Sequence, residues 1–187
     1  ANPEIYNLLS RVVGGDASFI DGLIKVTGGR PNLYFMNPSG IIFGSGARLD
    51  VPASFTATTA TGIGFAEGSF NSLRSNQYNL LVGDPNSLIF AIARPGAIVN
   101  AGVLQVPQGA NLSLTAGQVL NEGSLVAPGG SVQVAAVPGH SVLRVTPEGG
   151  ILSLDLALDP GTPLETLDPV QLPKLLAGHP DLLAQAT

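Results

Sequence analysis

Two histidines, thirteen carboxylates and a series of glycine pairs are the groups in this 187-residue chain that could do chemistry, and their spacing decides which kind. His140 stands in Pro138-Gly139-His140-Ser141 and His179 in His179-Pro180-Asp181, both turn sequences without a second ligand at metal spacing. No metal site is expected. No Gly-x-Ser-x-Gly elbow occurs, so a serine-hydrolase triad lacks its strained turn. Gly14-Gly15, Gly28-Gly29, Gly129-Gly130 and Gly149-Gly150 lack the lysine and following helix of a nucleotide cradle, and read as corners. A calcium nonapeptide is missing too, because Gly14-Gly15-Asp16 continues into Ala17-Ser18. Polysaccharide cleavage would need carboxylates converging on one face. Asp50 lies in a recurring Leu-x-Val-Pro unit, but Gln105 and Val126 hold the equivalent positions, so no acidic ladder forms. With no tryptophan and aromatics at 5%, a sugar-stacking groove is poorly supplied. The chain is expected to be neither an enzyme nor a carrier of a cofactor.

The elements behind these residues are short strands. Apolar alternation over four to six residues, broken by Gly, Pro or Asn, predicts strands over residues 22–26, 33–36, 41–43, 48–51, 54–58, 88–91, 103–106, 111–114, 124–126, 132–135, 142–145 and 151–156. Leu49-Asp-Val51-Pro52, Leu104-Gln-Val106-Pro107 and Leu125-Val-Ala127-Pro128 repeat one unit. Between the last two the offset is 21 residues for Asn100/Asn121 and Leu104/Leu125, slipping to 20 at Leu112/Val132. An offset near 20 predicts stacked coils, each closing its core only against its neighbours, with proline ending the ladder at a corner. Asn100 and Asn121 then fall on one corner and stack as a side-chain ladder. A β-sandwich would show a similar strand count, but the tight-hairpin dipeptides are nearly missing, Asp21-Gly22 being the one case. The expected architecture is an all-β parallel β-helix over residues 1–158. Residues 62–79 break the rhythm and read as an excursion outside the stack or a small hairpin. Residues 159–187 are rich in Pro and Leu, turn helical in pattern around Leu172, Leu175, Leu176, Leu182 and Leu183, and read as a cap or a linker.

Composition agrees with a packed domain: 44% hydrophobic, 11% charged, with 24 glycines and 15 prolines that demand frequent, regular turns. A net charge of −5 without a basic patch excludes the electrostatic footprint of a nucleic-acid binder. With no cysteine there is neither disulfide nor thiolate site, and no direct report on the redox compartment. No apolar run reaches the roughly 18 residues of a membrane span, and no signal-peptide pattern is present. The chain opens at Ala1 without an initiator methionine, as a processed or trimmed piece of a longer protein would.

The stretch from Leu33 to Gly44 sets two apolar strands around Asn37-Pro38-Ser39-Gly40. Pro38 presets φ for the second turn position, Asn37 can bond its own backbone, and Gly40 accepts angles that other residues resist. Asn37-Pro38-Ser39-Gly40-Ile41-Ile42, preceded by Val26-Thr27-Gly28-Gly29, resembles the Asn-Pro-Asn-Gly-Ile signature of the filamentous haemagglutinin N-terminal domain, also called the haemagglutination activity or two-partner secretion domain. The family's second signature, Asn-Pro-Asn-Leu, has a looser counterpart in Asn2-Pro3-Glu4-Ile5, 35 residues upstream. The likeness continues through Arg11-Val12-Val13-Gly14-Gly15, residues 53–59 and Ala127-Pro128-Gly129-Gly130. It covers about residues 1–157, is cyanobacterial in style and lacks the usual N-terminal part.

This resemblance implies a right-handed parallel β-helix with extra-helical hairpins. It also implies a non-enzymatic module of a large Gram-negative exoprotein, secreted or held at the cell surface. Such a module is recognised in the periplasm by the peptide-binding domains of a dedicated outer-membrane transporter and starts a β-helical shaft. Asn2, Pro3, Ile5, Asn37, Pro38, Ser39, Gly40 and Ile41 are the candidate recognition residues, or simply corner residues. A second expectation is an adhesin domain binding surface glycans or host cells through Tyr34, Phe65, Phe70 and Tyr78 on one face. A third is a β-helical polysaccharide enzyme, which three or more acids on one lateral face would revive.

Overall fold

Glycine and proline punctuation leaves strands of three to six residues, and those of the coils turn a corner rather than a hairpin and pair with the strand one circuit later. The computed structural model describes residues 5–146 and 150–156. The first circuit holds β1 (Asn7–Arg11), β2 (Ser18–Ile20) and β3 (Leu23–Lys25), and the second β4 (Asn32–Met36), β5 (Ile41–Phe43) and β6 (Arg48–Asp50). The third begins with β7 (Phe55–Thr58) and, after an excursion, closes with β11 (Ala97–Asn100) and β12 (Val103–Gln105). The fourth holds β13 (Leu112–Ala116), β14 (Gln118–Asn121) and β15 (Ser124–Val126), and β16 (Val132–Ala136) opens a fifth.

Pairing between circuits is parallel throughout, giving side one (β1-β4-β7-β13-β16), side two (β2-β5-β11-β14) and side three (β3-β6-β12-β15) of a parallel β-helix. The repeat offset read from the sequence is the register itself. Asn100 lies opposite Asn121 and Leu104 opposite Leu125, at 21, while Leu112 lies opposite Val132, at 20. Inward rows such as Leu33, Phe55 and Leu112 fill the coil, with Ile41, Phe43, Ile98, Leu104 and Leu114 also buried. Phe43 meets Phe55 edge to face at 6.3 Å, a favoured ring geometry. Asp21-Gly22 joins β2 to β3 as a corner of the coil and makes no hairpin.

The excursion between β7 and β11 forms β8 (Gly62–Gly64), β9 (Ser69–Asn71), a 3-10 turn (Tyr78–Leu80) and β10 (Ser87–Phe90). β17 (Ser141–Val145) and β18 (Ile151–Leu156) join them in a lateral antiparallel sheet of order β9-β8-β10-β17-β18. The departure of residues 62–79 from the coil rhythm is thus a true hairpin with a following loop. This sheet covers the outer face of side one. On β4, Leu33 packs into the coil, whereas the alternating Tyr34 and Met36 join Ile63, Phe65, Phe70, Leu88, Phe90 and Leu143 in a second core. Thr56, Thr58, Ser113 and Thr115 on the same covered face are buried, and no buried side-chain polar atom among the described residues lacks a partner.

Two sets of expectations need amending. Strands β1, β2, β11 and β14 are not among those the sequence predicts; on side two, β2, β11 and β14 carry an apolar residue on the outer as well as the inner row, which hides the alternation. Tyr34, Phe65 and Phe70 do not form an exposed aromatic face: they are 1%, 8% and 8% exposed, and only Tyr78 of the four, at 65%, meets solvent. The helical pattern read in the tail lies outside the described residues.

Candidate functional site

The corner between β4 and β5 is built by residues whose side chains and backbone leave almost nothing unpaired. Gly40 N–H donates to the Asn37 carbonyl at 3.1 Å, closing the turn, and Ser39 N–H donates to Asn37 Oδ1 at 3.0 Å. That is an Asx-turn, the local bond for which asparagine is favoured before Pro. The Asn37 amide nitrogen, Nδ2, then reaches into the preceding coil and donates to the Asp16 carbonyl at 3.0 Å and to Ser18 Oγ at 2.9 Å. Its backbone N–H donates forward to the Thr58 carbonyl at 3.0 Å. Ser18 N–H donates to the Gly40 carbonyl and Gly96 N–H to the Pro38 carbonyl, each at 3.0 Å.

Three successive coils therefore meet at this one turn. Gly40 holds φ +125°, where an L side chain is strained, and a Cβ on Gly96 would stand 2.6 Å from the Gly40 nitrogen. Asn37 and Ile41 are buried, Gly40 is buried, Pro38 is half-buried and Ser39 is exposed. The structure brings Asn37, Pro38, Ser39, Gly40 and Ile41 together and leaves Ile5 apart, exposed at the first coil beside Tyr6, Leu9, Phe65 and Leu81. Asn2 and Pro3 lie outside the described residues.

Two further polar ladders run along the other corners. Asn100 Nδ2 donates to Asn121 Oδ1 at 2.7 Å, the stack that the repeat predicts, and Asn100 Oδ1 accepts from Gly102 N–H at 3.1 Å. Before side one a second ladder climbs five circuits. Asn32 Nδ2 donates to Asn7 Oδ1, Ser54 N–H to Asn32 Oδ1, Asn111 N–H to Ser54 Oγ, and Ser131 N–H to Asn111 Oδ1. Sequence reasoning missed it; its signal was a polar Asn or Ser directly at the head of each side-one strand.

Acidic groups are dispersed. Asp50 pairs with Lys25 of the preceding coil at 2.7 Å, and Arg144 with Asp155 at 3.0 Å, all exposed. His140 occupies the turn into β17 at φ +54°, and His179 lies outside the described residues. Among the described residues no three of His, Asp and Glu gather as metal ligands would, and no helix is long and apolar enough to cross a membrane.

Sequence reasoning also missed a surface. On the outer face of side two, Phe19, Ile42, Val99 and Leu120 stand in register, one per coil, with Phe19 and Leu120 at 69% and 53% exposure. Side one is covered by the lateral sheet and side three mixes Leu23 and Val103 with Lys25, Arg48 and Asp50, so among the described residues this row is an uncovered, continuously apolar one.

The fold and its corners define a parallel β-helical module whose signature turn is a structural joint without a reactive group. The chain belongs to the TPS secretion domain family, the two-partner secretion domain, whose model matches residues 1–159. It is therefore a module of a secreted exoprotein with an outer-membrane transporter as its export partner. No curated protein and no solved structure matches the chain.

Proposed function

We propose that this module is read by the periplasmic peptide-binding domains of its own outer-membrane transporter and, once outside, nucleates the β-helical shaft of a large exoprotein. The observation that supports this reading is the joint at Asn37-Pro38-Ser39-Gly40, which ties three coils together in a chain of the TPS secretion domain family. Its direct work is geometric. A side chain as buried as Asn37 cannot be an epitope of the folded domain, so a transporter that reads Asn37 reads it before the coils close. An uncoiled strand offers unpaired backbone groups for strand addition to a receptor edge, and stacking outside opposes its return. The protein performs no catalysis in this role and needs no cofactor. Its setting is a Gram-negative envelope, with cyanobacterial style in its sequence.

Burial of Tyr34, Phe65 and Phe70 removes the aromatic face on which the adhesin reading stood. Glycan binding at Tyr78 remains its direct assay. For the export reading, the test is secretion from cells co-expressing an outer-membrane two-partner secretion transporter that exports the parent chain. Val106→Asp places a charge in the fully buried interior of the third coil and is expected to slow export. An unimpaired export rate in that variant overturns coupled folding and export. Asn37→Ala separates the two roles of the joint: loss of stability with export falling in step marks a corner, whereas lost export at unchanged stability marks a recognition residue.

A further inference from the structure

Side two carries a ridge and a groove side by side. The ridge is the row of Phe19, Ile42, Val99 and Leu120, one residue per coil, with Phe19 and Leu120 the most exposed. Two residues before each ridge position, the same strand again presents its outer face. Those positions hold Ala17, Gly40, Ala97 and Gln118, so small residues line three of the four coils. A Cβ on Gly40 would come within 3.2 Å of the Ala97 carbonyl oxygen and 3.4 Å of Ala17 Cβ. The groove floor is closely packed backbone.

The relation between ridge and groove makes this face complementary to itself. A two-fold axis parallel to the coil stack, lying over the row of Ser18, Ile41, Ile98 and Val119, carries each ridge position onto the groove position of the same coil. One patch then serves both partners, as an isologous contact requires. Strands of the two copies run in opposite directions across this axis, and the sheets stack face to face at about 10 Å, the ordinary distance for packed sheets.

Charges at the two edges of the face follow the same axis. On the edge toward side one stand Asp16, whose carbonyl accepts from Asn37 Nδ2, and Arg94, two residues before Gly96, whose N–H donates to the Pro38 carbonyl. On the edge toward side three stand Asp21, Glu122 and the Arg48 guanidinium, which donates to the Ser45 and Ala47 carbonyls. All five side chains are exposed. The axis sends Arg94, four residues before Ile98, to the point four residues after it, Gly102 of the second copy. Glu122 occupies the next coil at that point, since its N–H donates to the Asn100 carbonyl and Ser124 N–H to that of Gly102. Arg94 of each copy is thus brought to Glu122 of the other. On the first two coils Asp16 faces the corner where Asp21 Oδ1 accepts from Gly46 N–H at 2.6 Å and Arg48 offers the positive charge.

We propose that side two is the contact surface for a second copy of this chain, packed face to face, with each ridge in the other's groove and Arg94 paired with Glu122 at both edges. The face is four strands tall and four residues wide, roughly 20 Å by 15 Å at the spacings of a sheet. That is well below the roughly 800 Å² per partner of a standard interface, so the dimer is weak and reversible. It belongs to the folded domain and stands whether or not the export reading holds.

Sedimentation of the full chain between about 10 μM and 1 mM, a range that covers weak association, is the test. The weight-average mass is expected to climb from one chain towards two. Phe19→Ser with Leu120→Ser is expected to lower the association constant roughly tenfold or more, as loss of the central apolar anchors does. Arg94→Glu alone sets two acids together at each edge, and Glu122→Arg alone sets two bases together, so each is expected to associate roughly tenfold more weakly than the parent. An equimolar mixture of these two variants restores both pairs and is expected to recover the parent's association, an outcome that loss of folding in either chain could not produce. A single-chain mass throughout the range overturns the proposal. So does association that survives the serine variant, which would place the contact at an open coil end, and so does a mixture that associates no better than its components.

Discussion

At the scale of single residues, asparagine holds this fold because its amide can donate and accept at once along a stack of coils. Asn37 has both Nδ2 hydrogens and Oδ1 engaged while nearly wholly buried, so removing the side chain orphans groups in two coils. Asn37→Ala is expected to cost about 2–4 kcal/mol, the sum of a few buried hydrogen bonds left without partners. Urea denaturation of the isolated domain measures it, and a loss below about 1 kcal/mol contradicts the joint described above. Asn100 and Asn121 provide a matched comparison, since the first is fully buried and the second exposed at the end of the same ladder. Asn100→Ala should therefore destabilise by about 1–3 kcal/mol and Asn121→Ala by less than half of that. By contrast Lys25 and Asp50, both more than half exposed, form a solvated pair whose loss in Lys25→Ala should stay below about 1 kcal/mol.

At the scale of elements, what was legible in the sequence follows from where each strand's two faces look. Strands with one dry and one wet face, such as β6 and β12, alternate visibly, and their Leu-x-Val-Pro endings exposed the repeat and its slip from 21 to 20. β2 and β14 escaped because their outer residues Phe19 and Leu120 are apolar although they face solvent, so alternation vanishes. The buried fate of Tyr34 was equally hidden: its strand alternates between two cores rather than between core and water, and the second core is made by the distant β8, β10 and β17. The joint at Asn37 was legible as a turn, but the three coils meeting there were not, since Asp16, Thr58 and Gly96 are brought in by the stack alone. The apolar row on side two belongs to this scale as well. Phe19→Ser with Leu120→Ser should leave stability within about 0.5 kcal/mol, because these side chains bury little within the domain. Thermal melts check the first half of that expectation. Export of the double variant then tells whether the folded face meets a partner, because a fall in export at unchanged melting temperature has no source inside the domain.

At the scale of the whole molecule, two architectures compete over how it unfolds. A bare solenoid is held by nearest-neighbour contacts, so its end coils fray ahead of the centre. Here the lateral sheet runs along side one from Arg11, over the Phe70 ring of β9, to Gln133 bonded to Ile151 at the start of β18. Its core includes Tyr34, Met36, Phe90, Leu88 and Ile63, all nearly inaccessible, and burial of such side chains is worth about 1.5–3 kcal/mol each. That sum exceeds the few kcal/mol by which end coils ordinarily lag, so the sheet acts as a strap and the described residues are expected to open as one cooperative unit. Peptides from β1 and β7 should then share one slow hydrogen-exchange rate under mildly destabilising urea. Phe90→Ala, which removes about 3–5 kcal/mol from the centre of the strap, should split them, with β1 exchanging first. If β1 already exchanges well ahead of β7 in the parent protein and Phe90→Ala leaves the gap unchanged, the coils are coupled only to their neighbours and the lateral sheet is an appendage.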